Sequence, residues 1–116
     1  MKVLTIKEPW ATLIIEGYKE YEFRSWKTNY RGKILIHAGK SIDKTGKERF
    51  KDYNLNYSCG GIIGEAYITD CIKVNEELVN SLRKIDPIVY KKIWETYKNK
   101  WKIRTLELLW IICTQI

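Results

Sequence analysis

The chain has 116 residues, 45% of them hydrophobic and 30% charged, and a formal net charge of +7. This length and hydrophobic content indicate one folded domain and exclude extensive disorder. The excess of lysine and arginine favours a phosphate-bearing partner, because a basic face releases counterions when it binds phosphates. A lysine-rich protein without such a partner has the same charge, so composition alone does not decide.

The first 17 residues predict a short strand followed by a helix. Residues 2–6 have the pattern of a strand, and Pro9 suits the first turn of a helix because its missing N–H would have no partner there. Apolar side chains recur at helical spacing over residues 10–14. Gly17 then provides a stop for that helix.

Residues 18–26 change to the alternation of an extended strand. Glu22 and Arg24 fall on one face and are close enough to pair, while Tyr21 and Phe23 fall on the other face. Lys19 lies at the strand entry, where the chain is still turning, and can lean towards the face of Glu22 despite its odd register. Three ionisable groups are thus concentrated at a helix-to-strand junction.

The rest of the chain predicts further strands with short helices between them. The apolar run 33–38 indicates a central strand buried on both faces. Asp86 and Pro87 indicate a late helix whose inner face includes Tyr97. The other expected elements are a peripheral helix or ordered loop at 42–54, a loop at 54–61, strands at 61–72 and 106–116, and a helix capped by Asn75. This succession predicts a single α+β domain on a mixed, barrel-like sheet.

The three cysteines, Cys59, Cys71 and Cys113, are widely spaced and accompanied by one histidine. They form neither a CxxC pair nor a set with metal-ligand spacing, so the sequence predicts no disulfide framework, no metal site and no cofactor. Free thiols are typical of a reducing compartment. Charged residues interrupt the N-terminal segment, and no apolar run reaches membrane-spanning length, so we expect a cytoplasmic protein without a membrane partner.

The stretch Gly17–Arg24 resembles the GxKxxExR motif of the ASCH family, a PUA-like family named after activating-signal-cointegrator homology. Similar segments accompany it: Glu8–Ala11, Trp26–Lys27, Tyr30–Gly32, Ile36–Ala38 and residues 61–71. The resemblance implies a PUA-like mixed β-barrel of about five to six strands with short flanking helices, spanning residues 1–116 as one domain. It also implies a basic cleft that binds RNA or a nucleotide.

The closing strand departs from the family pattern, which has Tyr-Ala-Trp followed by aliphatic residues. This chain has Leu108-Leu109-Trp110-Ile111-Ile112 instead. We therefore expect an atypical or truncated final strand. Because an unpaired strand edge invites pairing between chains, both a monomer and a homodimer are expected alternatives.

The predicted ligand-binding residues surround the motif: Trp10, Lys19, Glu22, Arg24, Trp26, Lys27, Tyr30, Arg31, His37 and Lys40. Lys19, Arg24, Lys27 and Arg31 would contact phosphate, and Trp26 and Tyr30 would stack on bases. Glu22 would orient the cations or accept a hydrogen bond from a base edge. RNA or a nucleotide is the expected partner, and single-stranded DNA is a further candidate.

A hydrolase acting on RNA or a modified nucleoside is the alternative function. The family that this chain resembles includes ribonucleases and a small bacterial branch of acetylcytidine amidohydrolases. In that branch a Lys, a Thr and a Glu are catalytic. Lys19 matches the Lys, Glu65 is an unaligned match to the Glu, and Glu22 occupies the Thr position, which removes the hydroxyl. Lys19, Glu22 and Glu65 are thus the catalytic candidates, with His37 as an outside one. A carboxylate in an apolar strand needs a cation, so Lys19 or Arg24 is the expected partner of Glu65.

Plainer interpretations remain open from the residues alone. Lys19, Glu22 and Arg24 could form a surface salt-bridge cluster, worth under about 1 kcal/mol per pair. Trp26 and Tyr30 could fill the end of the barrel. A third function is that of a small interaction protein whose last strand pairs with a partner chain.

Overall fold

The computed structural model of the protein describes residues 2–98 and 109–116, with side chains described for 2–96 and 109–116. Within these residues there are five strands and four α-helices, in the order β1 (Val3–Glu8), α1 (Trp10–Ile15), β2 (Tyr21–Arg24), β3 (Gly32–Ile42), α2 (Lys44–Arg49), β4 (Ile62–Lys73), α3 (Glu76–Ile85), α4 (Lys91–Lys98) and β5 (Trp110–Gln115). One turn of 3-10 helix, Lys51–Tyr53, follows α2.

The strands form one mixed sheet in the order β1-β3-β4-β5-β2. β1 runs parallel to β3, whereas β3 with β4 and β2 with β5 are antiparallel. A mixed five-stranded sheet with short helices is an α+β arrangement of the PUA-like kind, so the predicted fold class is confirmed.

The chain forms two compact units. Among the described residues, the first unit comprises 2–20, 30–69 and 114–116, and the second comprises 21–29, 70–98 and 109–113. The first unit therefore contains β1, α1, β3, α2 and most of β4. The second contains β2, α3, α4 and most of β5.

In the first unit, β3 buries every second side chain, namely Ile34, Ile36 and Ala38. The intervening Lys33 and His37 are half-buried on the opposite face. The predicted burial of residues 33–38 on both faces is therefore wrong. An apolar residue, Leu35, occupies the outer face and hides the alternation in the sequence.

In the second unit, the aromatic residues of β2 pack against the segment before α4. The ring centroids of Tyr21 and Phe23 lie 6.0 and 6.3 Å from that of Tyr90. The core also contains Val79 of α3 and Ile111 of β5, both fully buried. This packing confirms that Tyr21 and Phe23 share one face of β2.

Most predicted helix boundaries agree with the structure. Asn75 caps α3 by accepting a hydrogen bond from the Leu78 amide at 2.9 Å. The helix expected directly after Asp86 begins later, at Lys91. Asp86 Oδ1 instead accepts from the amides of Ile88 and Val89 and stabilises a turn before the helix. Tyr97, which was expected on the inner face of this helix, lies outside the residues whose side chains the structure describes. Residues 106–108, which were expected to begin the last strand, lie outside the described residues altogether.

Candidate nucleic-acid interface

The end of α1 fixes the backbone of Lys19. Gly17 has a positive φ of 84°, a conformation that favours glycine. The Gly17 amide donates to the Ile14 carbonyl at 3.1 Å, and the Tyr18 amide donates to the Leu13 carbonyl at 2.9 Å, which together form a Schellman motif. The Lys19 amide also donates to the Leu13 carbonyl, at 3.1 Å. The spacing of glycine and lysine in the motif is therefore a consequence of how this helix ends.

Two cations flank one half-buried tryptophan in the first unit. The Lys19 ammonium lies 5.6 Å from the centroid of the Trp10 ring, and the Arg49 guanidinium carbon lies 5.9 Å from it. Lys19 is only 5% exposed. Trp10 Nε1 donates to Asp43 Oδ2 at 3.3 Å, which fixes the ring. We call Trp10, Lys19, Asp43 and Arg49 the Trp10 patch; its formal charge is positive.

The Trp10 patch depends on a close approach of α2 to the start of α1. A β-carbon added at Gly46 of α2 would lie 3.0 Å from Pro9 and 3.1 Å from Trp10. Asp43 caps α2 by accepting from the amides of Thr45 and Gly46, so the same carboxylate that holds the Trp10 ring also begins the helix that carries Arg49. Sequence analysis missed Arg49 because it lies in a charged segment without a motif.

Glu22 and Arg24 form an ion pair on β2, in the second unit. Arg24 Nη2 lies 3.0 Å from Glu22 Oε2, and Glu22 is 7% exposed. The predicted pairing of residues two apart on one strand face is confirmed. Charge-assisted hydrogen bonds of this kind hold the guanidinium in a defined orientation.

A second tryptophan flanked by two cations lies next to Arg24. Trp110 of β5 stands opposite Arg24 in the register of β2 with β5. The ammonium groups of Lys27 and Lys73 lie 5.3 and 5.8 Å from the centroid of the Trp110 ring. We call Arg24, Lys27, Lys73 and Trp110 the Trp110 patch. Lys27 was a predicted site residue, whereas Lys73 carried no signal beyond residue type and Trp110 was expected only as part of the closing strand.

Other predicted binding residues belong to neither the Trp10 patch nor the Trp110 patch. Trp26 is 44% exposed, as a stacking residue requires. Tyr30 Oη donates to the Lys33 carbonyl at 2.6 Å, and Arg31 donates to the Tyr30 carbonyl at 2.9 Å. Lys40 is exposed towards the end of β3.

Glu65 and His37 lie on the outer face of the sheet in the first unit. Glu65 Oε2 accepts from Lys33 Nζ at 2.7 Å, so the expected pairing of Glu65 with Lys19 or Arg24 is wrong. The hydrogen bond and the negative charge of Glu65 raise the pKa of Lys33. His37 Nδ1 lies 3.3 Å from Thr5 Oγ1 on the neighbouring strand. Period-two alternation places Glu65 beside exposed Tyr67 rather than in the core.

A buried carboxylate that sequence analysis missed joins α1 to the loop at 54–61. Glu8 is fully buried, and its Oε1 accepts from the Thr12 amide at 2.8 Å. Its Oε2 accepts from the Thr12 hydroxyl at 2.5 Å and from the Ser58 amide at 3.3 Å. Burial, and to a lesser degree the charge of Glu8, raise the pKa of Tyr57. The sequence did offer a signal for this contact, because Thr12 follows Glu8 by four residues, which is about one helical turn.

No helix within residues 2–98 and 109–116 combines the length and apolar character needed to cross a bilayer. The three cysteines are free thiols, with Cys59 exposed and Cys71 buried.

The mixed sheet and the Gly17–Arg24 junction define a PUA-like α+β domain. The family model described as "ASCH domain" matches residues 4–111, which is nearly the whole chain, and the chain therefore belongs to the ASCH domain family. RNA binding is general in that family.

Two mammalian proteins named Activating signal cointegrator 1 are similar to this chain. The human protein is 31% identical over 81 residues, and the mouse protein is 31% identical over 87 residues. Each alignment covers 60% of this chain and 14% of the relative. The chain thus corresponds to a small part of those proteins.

Proposed function

We propose that this domain binds RNA or a nucleotide through the residues of its GxKxxExR motif. The observation that carries the proposal is the Trp10 patch. A lysine of the motif, only 5% exposed, is held against a tryptophan that a second cation also approaches. Cations interleaved with aromatic rings are the surface that single-stranded nucleic acids bind, through phosphate and base respectively.

The second unit supports the same chemistry. Glu22 orients the Arg24 guanidinium, whose fork geometry suits the oxygens of a phosphate. Trp110, with Lys27 and Lys73 around it, again combines an aromatic face with positive charge. In the proposal Lys19, Arg24, Lys27 and Arg31 contact phosphates.

Stacking is assigned to Trp26, which is exposed, and to Tyr30, which is half-buried. Trp26 offers an accessible ring, and Tyr30 is held by its hydrogen bond to the Lys33 carbonyl. Each stacked base contributes about 1–3 kcal/mol and does so with little dependence on sequence. We therefore expect weak base preference and a clear preference for single strands over duplexes.

Hydrolysis has less support. The catalytic set needs Glu65, and this carboxylate pairs with Lys33 on the outer sheet face. Glu22, in the position of the missing hydroxyl, is paired with Arg24. Binding, rather than hydrolysis, is the function that these contacts favour.

Fluorescence anisotropy with octamers of RNA and single-stranded DNA of equal sequence, with AMP as competitor, tests the proposal. We expect saturable binding of the RNA octamer and competition by AMP. Weak and equal binding of every oligomer, unaffected by the Lys19→Ala substitution, would contradict the proposal.

A further inference from the structure

A polar hollow of about 620 Å³ lies in the first unit, and none of the motif residues 17–24 lines it. One wall is α2 with the 3-10 turn after it, and the other wall is the loop segment 54–57. Its volume falls within the range of pockets that hold small ligands, about 300–1,000 Å³. This hollow has no part in the function proposed above.

The walls carry positive charge that internal pairing leaves uncompensated. Lys44, Lys47 and Lys51 line the hollow together with one acid, Glu48. Lys51 pairs with Glu48 at 3.0 Å, whereas Lys44 and Lys47 form no ion pair within the described part of the chain. The hollow therefore presents two lysine ammonium groups on adjacent turns of α2.

The opposite wall and the floor offer uncharged polar and apolar groups. Asn54, Asn56 and Tyr57 line the loop side, and half-buried Leu55 supplies apolar surface over the fully buried Phe50. A tyrosine hydroxyl keeps its proton at neutral pH and can donate, and burial raises the pKa of Tyr57 further. Amide groups, which both donate and accept, suit the polar edge of a nucleobase.

Contacts on both sides hold the hollow in shape before any ligand arrives. The buried Glu8 carboxylate accepts from the Ser58 amide at 3.3 Å and so anchors the end of the loop. Phe50 is fully buried and packs edge-on against both Trp10 and Tyr53, with centroid distances of 5.7 and 5.1 Å. A preformed site loses less conformational entropy on binding than one that must order itself.

We propose that the hollow between α2 and residues 54–57 is a second nucleotide-binding site, separate from the GxKxxExR motif. Lys44 and Lys47 bind the phosphate, while Asn54, Asn56 and Tyr57 contact the base and ribose. The nucleotide is either free or part of an RNA strand, and the two sources share this chemistry. Since Phe50 connects the hollow to Trp10, a strand that occupies the Trp10 patch has a neighbouring place for another nucleotide.

Amide NMR of the full chain, titrated with AMP, tests this site directly. We expect saturable shifts in the amides of residues 44–57. The double substitution Lys44→Gln with Lys47→Gln should weaken this binding about tenfold, since charge-assisted contacts to phosphate are lost. The control pair Lys7→Gln with Lys84→Gln removes the same charge from exposed positions outside the hollow and should leave the affinity unchanged.

Further titrations distinguish a whole nucleotide from its phosphate or nucleoside part, and a free nucleotide from an RNA strand. Inorganic phosphate and adenosine should each bind more weakly than AMP; phosphate binding as tightly as AMP would overturn the nucleotide assignment. An RNA hexamer that shifts residues 44–57 in the parent protein, but not in the lysine pair variant, would support the site in its strand-bound form. Absence of shifts at 44–57 with both AMP and the hexamer would overturn the proposal.

Substitutions distinguish binding in the hollow from binding at the motif. Lys19→Ala should reduce binding at the motif and leave the AMP-induced shifts at 44–57 in place. If Lys19→Ala abolished those shifts while the Lys44 and Lys47 variant retained them, the shifts would report the motif and the second site would be refuted.

Discussion

The Lys19 ammonium lies 5.6 Å from the centre of the Trp10 ring, with the lysine almost wholly buried. The two residues lie at opposite ends of the α1 segment, and the Schellman motif at Gly17 brings the chain back so that they meet. Helix termination, rather than strand register, thus decides where the motif lysine stands.

Gly17→Ala should therefore affect both stability and binding. An alanine in the left-handed conformation costs about 1–2 kcal/mol, so the free energy of unfolding in urea should fall by roughly that amount. Binding of the RNA octamer should weaken as Lys19 loses its fixed position. Gly61→Ala is the matched control, because a β-carbon there meets no atom within 4 Å. Unchanged stability in Gly17→Ala would show that α1 does not need this ending.

Glu8→Ala should be among the most destabilising single substitutions in the chain. It leaves the Thr12 amide, the Thr12 hydroxyl and the Ser58 amide without their buried acceptor, and each such loss costs about 1–3 kcal/mol. Glu8→Gln keeps one acceptor oxygen and should cost less. Glu16→Gln, at an exposed position after α1, should be neutral in the same urea titrations. Equal stability of all three variants would contradict the assigned role of Glu8.

Tyr57 should make stability fall at alkaline pH. Its pKa is raised in the folded state, so between its ordinary pKa and this raised value the unfolded chain loses the phenolic proton while the folded chain keeps it. The stability that Tyr57 contributes is complete below the pKa of the unfolded chain, and it is lost as the pH rises through the pKa of the folded protein. NMR titration of labelled tyrosine rings measures the shift. Glu8→Gln should lower the pKa of Tyr57 only slightly, because the charge of Glu8 is the smaller of the two causes that raise it. An ordinary pKa for Tyr57 in the parent protein would contradict the effect of its burial.

Arg49→Met should weaken RNA binding although Arg49 lies outside the motif. The substitution removes one of the two cations at Trp10 and keeps the apolar stem, so we expect a loss of roughly three- to tenfold, as for one charged contact. Arg83→Met is the control, because Arg83 lies 5.1 Å from the ring of Trp94 in the other unit. Equal losses in the two variants, measured by anisotropy, would mean that only net charge matters.

The features that the sequence predicted are local ones. The helix stop at Gly17, the pairing of Glu22 with Arg24 and the cap at Asn75 each depend on residues within five positions of one another. Arg49, Lys73 and Trp110 could not be predicted because they reach their places through packing between distant segments. The misplacement of Glu65 has a different cause. The apolar neighbours of Glu65 in the sequence predict burial, whereas the outer face of β4 also carries a large aromatic side chain, Tyr67.

The salt dependence of RNA binding tests whether Lys19 and Arg24 contact phosphates. The logarithm of the association constant should fall linearly with the logarithm of salt concentration, with a slope of about −0.7 for each phosphate that the protein neutralises on a single strand. If Lys19 and Arg24 contact phosphates, the double substitution Lys19→Ala with Arg24→Ala should reduce the slope by about 1.4, while Lys7→Ala with Lys84→Ala should leave it unchanged. Identical slopes in the parent protein and the Lys19 and Arg24 variant would contradict binding through the motif.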